Sequence, residues 1–307
     1  MIPKPNKLNK GDKVALITPS GFATKEKIDI AIENIKSLGL EVIYSNKIFA
    51  QYGYLAGTDD ERLADLHQAF ENDDVKAIFC IRGGYGATRL LPKINFDLIR
   101  ENPKLLIGFS DITVLHNAFF HKTGLIGVHG IVASSKFTDY TRNQLKNILF
   151  DNLQTYNLPC EWNNIIAHGS GKGISIGGNL SLLVSMIGTG FLPSFEDKVV
   201  FIEEVAEAPY KIDRMLTHLL TATDLKNAEV VIFGTFYKCT PEDTGTKSKN
   251  SLTVEQIIEE KFENFKKPVL TNINFGHIQN ACIFPIGVEI CVNTEMKEFF
   301  VLESVTI

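Results

Sequence analysis

The sequence predicts an α/β protein of two domains, with a parallel sheet in the N-terminal domain and a smaller, mixed α/β arrangement in the C-terminal domain. The chain has 307 residues, and single hydrophobic cores stop growing near about 250–300 residues. Short apolar runs alternate with helix-periodic segments through residue 150, which is typical of βαβ units in a parallel sheet. From residue 169 onward the pattern changes to a Gly-rich extended run, further strands and helices, and a closing hairpin.

The N-terminal domain is predicted to span residues 1–150. Its expected strands are the apolar runs at residues 14–18, 42–44, 77–81, 105–108 and 126–128. Helices are indicated by apolar residues at helical spacing over residues 25–38 and by a capping box of Thr58 and Glu61. The helix after this box is expected to place Leu63, Leu66 and Phe70 on one face. Such a sheet is similar to those of flavodoxins and class I glutaminases, in which the functional crevice lies beyond the carboxyl ends of the strands.

Residues 151–168 are interpreted as a linker and residues 169–307 as the C-terminal domain. The linker prediction rests on a polar segment that contains Pro159 and shows no periodicity. The C-terminal domain is expected to contain strands at 199–202, 229–233 and 269–273, helices at 180–187 and 209–220, a helix capped at 253, and a hairpin of residues 286–292 and 299–305. Residues 244–250 are the most loop-like insertion.

Composition and charge exclude several classes of function. The net charge of −5 provides no basic surface for nucleic acid, and no apolar run approaches the roughly 20 residues that a membrane span needs. The N-terminus has charge but no apolar segment suited to export, so a cytoplasmic protein is expected. The five cysteines are odd in number, scattered and without C-x-x-C spacing, which indicates reduced thiols rather than a disulfide framework or a zinc site.

Ser110 is the first candidate catalytic residue. It follows the apolar run 105–108 and precedes a helix expected from Asp111 to about Lys122. A serine at a strand-to-helix turn projects its hydroxyl out of the sheet, beside backbone N–H groups at a helix N-terminus. A nucleophile needs this geometry, because the same N–H groups can stabilise an oxyanion. Serine also caps helices often, and the turn lacks the G-x-S-x-G pattern, so both roles are open from this stretch alone.

Glu203 and His277 are two further candidates, and both lie at strand ends. Glu203 follows the apolar strand 199–202, which predicts a carboxylate held near the core. His277 comes just past the strand 269–273, after Gly276, which permits a sharp backbone turn. His129, after the fifth strand, is the competing general base. The other histidines fall in expected helices (His67, His116, His121 and His218) or at the edge of the linker (His168).

The motifs do not support three other types of site. A metal site is disfavoured because the chain has no H-E-x-x-H motif. Residues 169–173 lack the Lys-Ser/Thr ending of a phosphate-binding loop, and residues 83–86 do not form G-x-G-x-x-G. A class I glutaminase needs a cysteine at the turn and a His-x-Glu pair, whereas this chain has Ser110, and His277 is followed by Ile278 and Gln279.

Eight short motifs, taken together and in order, resemble one known family. They are GDKV at 11–14, LAGTD at 55–59, RGGYG at 82–86, GFSD at 108–111, GGNL at 177–180, FIEE at 201–204, APYKIDRML at 208–216 and GH at 276–277. Each motif is weak alone, but the set resembles the LD-carboxypeptidase family of serine peptidases, which also contains the microcin C immunity proteins. One departure is Glu204, where members often carry Asp, and it leaves the matched Glu203 untouched.

The resemblance implies a Ser–His–Glu triad. Ser110 would be the nucleophile, His277 the general base and acid, and Glu203 the carboxylate that orients the imidazole. Since Ser110 belongs to the first predicted domain and the other two to the second, the active site is expected in the cleft between the domains. No cofactor and no metal are expected, and the resemblance implies a homodimer.

Backbone and side-chain groups of the Gly-rich turn at 82–86 are expected to bind substrate. The N–H groups of Gly84 and Asp111 are the expected oxyanion hole. Arg82, Gly83 and Tyr85 are candidates for binding the substrate, with N–H groups of the turn and the guanidinium of Arg82 facing its terminal carboxylate. Arg82 could equally serve as an ion-pair partner within the fold.

The substrate implied by the resemblance is a cytoplasmic muropeptide in cell-wall peptidoglycan recycling. The bond cut would join the L-centre of a diamino acid to a terminal D-alanine. The alternative within the family is hydrolysis of a peptide–nucleotide antibiotic, which gives self-immunity. A third hypothesis, from a different class, is a non-catalytic two-lobed protein that binds a sugar or a peptide.

Overall fold

The computed structural model describes residues 4–151, 153, 155–162, 164–245 and 251–307. Within these residues the chain divides into two compact units. Unit 1 comprises the described residues up to 153 together with Ile283–Gly287 and Ser304–Ile307, and unit 2 comprises Thr155–Cys282 and Val288–Glu303. Both units combine a sheet with helices, and the sheet of unit 1 is mostly parallel, which confirms the predicted α/β class. Residues 246–250 of the insertion expected at 244–250 lie outside the described residues.

Strands and helices are numbered in chain order. The strands are β1 Lys13–Ile17, β2 Glu41–Ile43, β3 Val75–Cys80, β4 Leu105–Gly108, β5 Gly127–His129, β6 Tyr156–Asn157, β7 Asn164–Ala167, β8 Ser170–Asn179, β9 Lys198–Val205, β10 Val230–Tyr237, β11 Val269–Thr271, β12 Phe284–Ile286, β13 Glu289–Asn293 and β14 Glu298–Val301. The helices are α1 Lys25–Ser37, α2 Asp59–Glu71, α3 Phe96–Glu101, α4 Thr113–Thr123, α5 Asp139–Leu149, α6 Leu180–Ser185, α7 Pro209–Ala222 and α8 Val254–Phe262. Across the part of the chain that the structure describes, no helix combines the length and hydrophobicity needed to cross a membrane.

The described sheet of unit 1 has the strand order β12-β5-β4-β3-β1-β2. Strands β1 to β5 pair in parallel, and β12 pairs antiparallel with β5. Leu16, Phe79 and Ile107 on three of these strands are completely buried. Helices cover both faces of a parallel sheet, which explains why its strands are continuous apolar runs. Each such side chain stabilises the fold by about 1.5–3 kcal/mol.

Strand β12 differs from the sequence prediction, which assigns residues 286–292 to one strand of a hairpin. The structure divides this apolar stretch at Gly287, so that β12 joins the sheet of unit 1 and β13 joins that of unit 2. Residues 304–307 also return to unit 1, where the Lys7 N–H donates to the Ile307 carbonyl at 2.9 Å. The C-terminal part of the chain therefore contributes to both units, rather than forming one continuous domain over 169–307.

Helix α2 begins as predicted, but its buried face is shifted. The Thr58 hydroxyl accepts from the Glu61 N–H at 3.2 Å, and the Glu61 carboxylate accepts from the Thr58 N–H at 2.8 Å. Leu66 is buried, whereas Leu63 is only half-buried and Arg62 is buried in its place. Arg62 precedes Leu66 by one helical turn, so it lies on the same stripe of the helix. Helices α3 and α5 were not predicted.

The sheet of unit 2, in its described residues, has the order β6-β14-β13-β8-β9-β10-β11-β7. Its four central strands, β8 to β11, are parallel, and the flanking strands are antiparallel. The predicted hairpin is confirmed as β13 paired with β14. Strands β6 and β7 lie within the segment interpreted as a linker, and they pair with β14 and β11. That segment therefore completes the two edges of this sheet.

Lys104 is a buried cation at the amino end of β4. Its ammonium group donates to the carbonyls of Ala69, Phe70 and Asn72 at 3.2, 2.5 and 2.6 Å, and the residue is 8% exposed. These carbonyls end α2, where helices leave C=O groups without intrahelical partners. Burial lowers the pKa of Lys104 to about 8.

The lowered pKa predicts a pH-dependent contribution of Lys104 to stability. Between pH 8 and the ordinary lysine value of 10.5, the folded chain binds fewer protons at this site than the unfolded chain, so stability rises with pH. We expect the free energy of unfolding of wild type minus that of Lys104→Met to increase across this window, by up to about 3 kcal/mol. Urea denaturation at several pH values measures it, and a difference that stays flat or falls would contradict the prediction.

Candidate active site

Ser110 lies on a sharp turn between β4 and α4. Phe109 is extended, and Ser110 has φ = +64°, a value that is uncommon for residues other than glycine. A short 3-10 turn over residues 110–112 then leads into α4, whose N-cap position is held by Ile112 rather than by Ser110. A strained residue between a strand and a helix is typical of a nucleophile elbow. Such strain costs of the order of 1–3 kcal/mol and persists only where the surrounding structure enforces it.

The Gly-rich turn at residues 82–86 lies beside Ser110 in the same unit. A Cβ atom on Gly83 would lie 2.9 Å from Cβ and 3.1 Å from Oγ of Ser110, so no side chain fits there. Gly84 and Tyr85 are exposed, and the Tyr85 ring centroid is 5.7 Å from that of Tyr54. The turn therefore presents backbone groups next to the Ser110 hydroxyl.

Arg82 supports the fold of this turn and also lies beside Gly84. Its Nη1 donates to the carbonyl of Phe22 at 2.9 Å, in the loop that follows β1. A Cβ atom on Gly84 would lie 3.3 Å from Nη2 of Arg82. Arg82 is half-buried. Of its two terminal nitrogens, Nη1 is occupied by the hydrogen bond to the loop after β1.

In unit 2, His277 and Glu203 form a hydrogen-bonded pair. Nδ1 of His277 lies 2.7 Å from Oε2 of Glu203. The Glu203 side chain is completely buried at the end of β9, and that of His277 is 19% exposed. Gly276 has φ = +111°, and a Cβ atom there would lie 2.9 Å from Glu203 Oε2, so glycine permits this close approach. A buried carboxylate on Nδ1 fixes the ring and its tautomer, which leaves Nε2 able to accept a proton.

Glu204 holds the end of β9 in place. Its Oε1 accepts from Asn179 Nδ2 and from the Val205 N–H, each at 2.8 Å, and its Oε2 accepts from the N–H and hydroxyl of Ser181 at 2.8 and 2.6 Å. Burial raises the pKa of this carboxyl, and the hydrogen bonds act in the opposite direction. Adjacent residues of a strand point to opposite faces, so Glu203 binds His277 while Glu204 binds the start of α6. This role of Glu204 was not predicted, and the available signal was the pair of consecutive carboxylates at a strand end.

His129, the competing base, is a buried residue of unit 1. It is 1% exposed. Its ring packs against those of Phe109 and His116, with centroids 6.1 and 6.0 Å away and interplanar angles of 87° and 66°. A general base must reach the proton that it takes. The burial of His129 and the partial exposure of His277 therefore favour His277.

Two further side chains near the site were not predicted, those of Arg62 and Asp111, which are 2% and 0% exposed. Both contact the last peptide group of the Gly-rich turn, at Gly86 and Ala87. The signal for Arg62 was its spacing of four residues from Leu66 on an amphipathic helix. For Asp111, only the backbone N–H was predicted to have a role, and nothing in the local sequence indicates the partner of its carboxylate.

The described residues contain no group of three or more His, Cys, Asp or Glu side chains placed to hold a metal ion. All five cysteines lie within those residues and are free thiols. Two of them, Cys160 and Cys282, have sulfur atoms 3.0 Å apart in unit 2.

Comparisons with known proteins identify the family. The family profile described as LD-carboxypeptidase N-terminal domain matches residues 14–130, and that described as LD-carboxypeptidase C-terminal domain matches residues 172–292. The chain is 38% identical over 299 residues to a probable murein peptide carboxypeptidase of Bacillus subtilis, covering 96% of this chain and 92% of the relative. It is 30% identical over 286 residues to a murein tetrapeptide carboxypeptidase of Pseudomonas aeruginosa, covering 90% and 91%.

A solved structure is also similar to this chain over nearly its full length. The crystal structure of an MccF-like protein from Bacillus anthracis is similar with a TM-score of 0.84 and 30% sequence identity, over 97% of this chain and 99% of that one. The family resemblance predicted from the motifs GDKV to GH is thus confirmed. The chain belongs to the LD-carboxypeptidase family of peptidases.

Proposed function

We propose that this protein is a serine LD-carboxypeptidase that removes the terminal D-alanine from cytoplasmic muropeptide tetrapeptides in peptidoglycan recycling. The observation that carries the proposal is the 2.7 Å hydrogen bond between His277 Nδ1 and the buried Glu203, because it prepares a histidine for general base catalysis. Ser110, with its positive φ on an elbow turn, is the nucleophile. The substrate class is supported by the relatives named murein peptide and murein tetrapeptide carboxypeptidase.

In the proposed reaction, His277 Nε2 takes the proton of the Ser110 hydroxyl as Oγ attacks the carbonyl carbon of the L,D bond. The N–H groups of Gly84 and Asp111 donate to the oxyanion, and each donor of this kind contributes about 2.7–4 kcal/mol in the transition state. Glu203 stabilises the imidazolium. His277 then transfers the proton to the amine of D-alanine, which leaves. A water then attacks the acyl-enzyme and gives a proton to His277, which returns it to Ser110 Oγ as the shortened peptide leaves and the free enzyme is restored.

The terminal carboxylate of the substrate requires donors, because an unpaired buried charge is very costly. We assign this role to backbone N–H groups of the turn at 82–86 and to the guanidinium of Arg82. The hydrogen bond from Nη1 to Phe22 holds the guanidinium in a fixed orientation. With the carboxylate bound and the scissile carbonyl in the oxyanion hole, the methyl group of an L-residue would point in a different direction from that of a D-residue.

The direct test is release of D-alanine from a purified muropeptide tetrapeptide. We expect stoichiometric release by wild type and none by Ser110→Ala, and we expect EDTA to leave the rate unchanged. Tight binding of the tetrapeptide without any release would favour the hypothesis of a non-catalytic binding protein. Loss of activity in EDTA that zinc restores would contradict a serine mechanism.

Recognition of the substrate terminus gives a separate prediction. We expect a tetrapeptide ending in D-Ala to be cut at least about 100-fold faster than the matched peptides ending in L-Ala or in D-Ala amide. The L-residue points its methyl group in a different direction, and the amide lacks the carboxylate charge that the donors of the turn bind. The ratios of kcat/KM for the three peptides measure this. Equal kcat/KM values for the three peptides would show that the site does not recognise the terminus, and the activity would be that of a general amidase.

A second candidate function is hydrolysis of a peptide–nucleotide antibiotic. The similarity to the MccF-like structure favours it, because MccF is named as a microcin C7 self-immunity protein. An aminoacyl sulfamoyl adenosine, incubated beside the tetrapeptide, separates the two functions. We expect a higher kcat/KM on the tetrapeptide, and a clear preference for the nucleotide substrate would replace our first proposal with this one.

A further inference from the structure

One peptide group of the Gly-rich turn is held at both ends by charged side chains. The Gly86 carbonyl accepts a hydrogen bond from Arg62 Nη1 at 2.8 Å, and the Ala87 N–H donates to Asp111 Oδ2 at 2.8 Å. The carbonyl of Gly86 and the N–H of Ala87 belong to the same planar group. Two charge-assisted hydrogen bonds, which are stronger than neutral ones, therefore fix the orientation of that plane.

Both charged side chains are buried, which is unfavourable unless they are paired and hydrogen-bonded. Arg62 has this compensation, because it also donates to the Pro19 carbonyl and, through Nη2, to Asp59 Oδ1 at 2.6 Å. Asp59 in turn accepts from Arg89. Burial raises the pKa of Asp111, and the hydrogen bond from Ala87 opposes this shift.

The positions of these residues in the chain connect the held peptide group to the proposed chemistry. Asp111 directly follows Ser110, and the peptide group closes the turn that contains Gly84. A Cβ atom on Gly86 would lie 2.8 Å from Arg62 Nη1, so the guanidinium occupies the space that a side chain would need. The Asp111 carboxylate thus joins the turn to the nucleophile elbow, while Arg62 holds the turn from helix α2, and both side chains are buried.

We propose that Arg62 and the Asp111 carboxylate form a peptide clamp, a pair of positioning residues that fixes the Gly84 N–H relative to Ser110. The inference rests on the proposed function, in which the Gly84 N–H donates to the oxyanion. Loosening the clamp displaces this donor while the nucleophile, base and orienting carboxylate stay unchanged. A displacement of about 1 Å at a reacting centre can lower the rate roughly 100-fold.

The test measures kcat and KM for Asp111→Ala, Asp111→Asn and Arg62→Met. We expect kcat to fall about 100-fold in Asp111→Ala and in Arg62→Met, with a smaller change in KM. Asp111→Asn retains an oxygen that can accept from the Ala87 N–H, so we expect its kcat to be at least about tenfold higher than that of Asp111→Ala. Full kcat in both Asp111→Ala and Arg62→Met would overturn the proposal.

Lys104→Met is the matched control for general destabilisation. Lys104 is also a buried cation of unit 1 that donates to main-chain carbonyls, but it lies at the amino end of β4, whereas Ser110 follows the carboxyl end. At a temperature where all variants are folded, we expect its kcat to stay within about twofold of wild type. If Lys104→Met lost as much kcat as Asp111→Ala, the effect would be one of stability and the clamp would not position the site.

Hydrogen exchange provides a measurement that needs no substrate. We expect the Ala87 amide to exchange at least about tenfold faster in Asp111→Ala and Arg62→Met than in wild type, and at the wild-type rate in Lys104→Met. Unchanged exchange at Ala87 would overturn the clamp even if kcat fell. If wild type hydrolysed no peptide, the proposed function would fail, and faster exchange in the variants would still show that the clamp orders the turn.

Discussion

Ser110→Ala is expected to lower kcat for release of D-alanine by at least about 10⁴-fold, while the protein stays folded. The hydroxyl is the proposed nucleophile, and it lies on a half-exposed turn, so its removal leaves the core unchanged. Single-turnover assays and circular dichroism measure the two expectations. Ser37→Ala is the matched control, since Ser37 is an exposed serine of unit 1 whose hydroxyl donates to a helix carbonyl. Residual activity near wild type in Ser110→Ala would refute the serine mechanism.

Ser110→Gly separates the strain of the elbow from its chemistry. Glycine adopts φ = +64° without the steric cost that a Cβ atom incurs. We therefore expect Ser110→Gly to be as inactive as Ser110→Ala but about 1 kcal/mol more stable. Urea denaturation measures the difference, and an alanine variant that is the more stable of the two would contradict the assigned backbone strain.

His277→Ala is expected to be nearly as damaging as Ser110→Ala. The base and the nucleophile act as one unit, so the double variant should be no less active than either single variant. Glu203→Gln should be severe but incomplete, because the third member mainly sets the tautomer and orientation of the ring. The kcat values of the four variants on one tetrapeptide measure these expectations.

His218→Ala serves as the control for removing a histidine from unit 2, since His218 is exposed on α7. Its kcat should equal that of wild type. The choice of base also has a decisive counter-test in unit 1. If His129→Ala were folded and inactive while His277→Ala turned over normally, His129 would be the base despite its burial.

The parts of the site that the sequence predicted are local in origin. The turn at Ser110 follows from an apolar strand, a glycine and a helix start within about ten residues. Glu203 and His277 were predicted because each follows a strand, and parallel strands end at the same edge of a sheet. Their pairing depends on the strand order of unit 2, in which β10 lies between β9 and β11, and no local pattern states that order. The family resemblance, rather than the periodicity, supplied the pairing of Glu203 with His277.

The missed features depend on partners that are distant in sequence. Arg62 was overlooked because a charged residue is expected on the exposed face of a helix. Only the structure shows that the Gly86 carbonyl, 24 residues away, accepts its hydrogen bond. Strand β12 was merged with β13 because residues 284–293 are mostly apolar. Hydropathy does not record which sheet a strand enters. Helix α3 is only six residues long, too short for its periodicity to be recognised.

The pairing of β12 with β5 bears on how the protein is made. β5 ends at His129 and its partner begins at Phe284, so the ribosome must add more than 150 further residues before this edge of the sheet can be covered. At synthesis rates of about 5–20 residues per second, the β5 edge stays uncovered for roughly 8–30 s. An uncovered edge presents unpaired N–H and C=O groups that can pair with another nascent chain. We therefore expect chaperones to be needed most in the interval between translation of β5 and of β12.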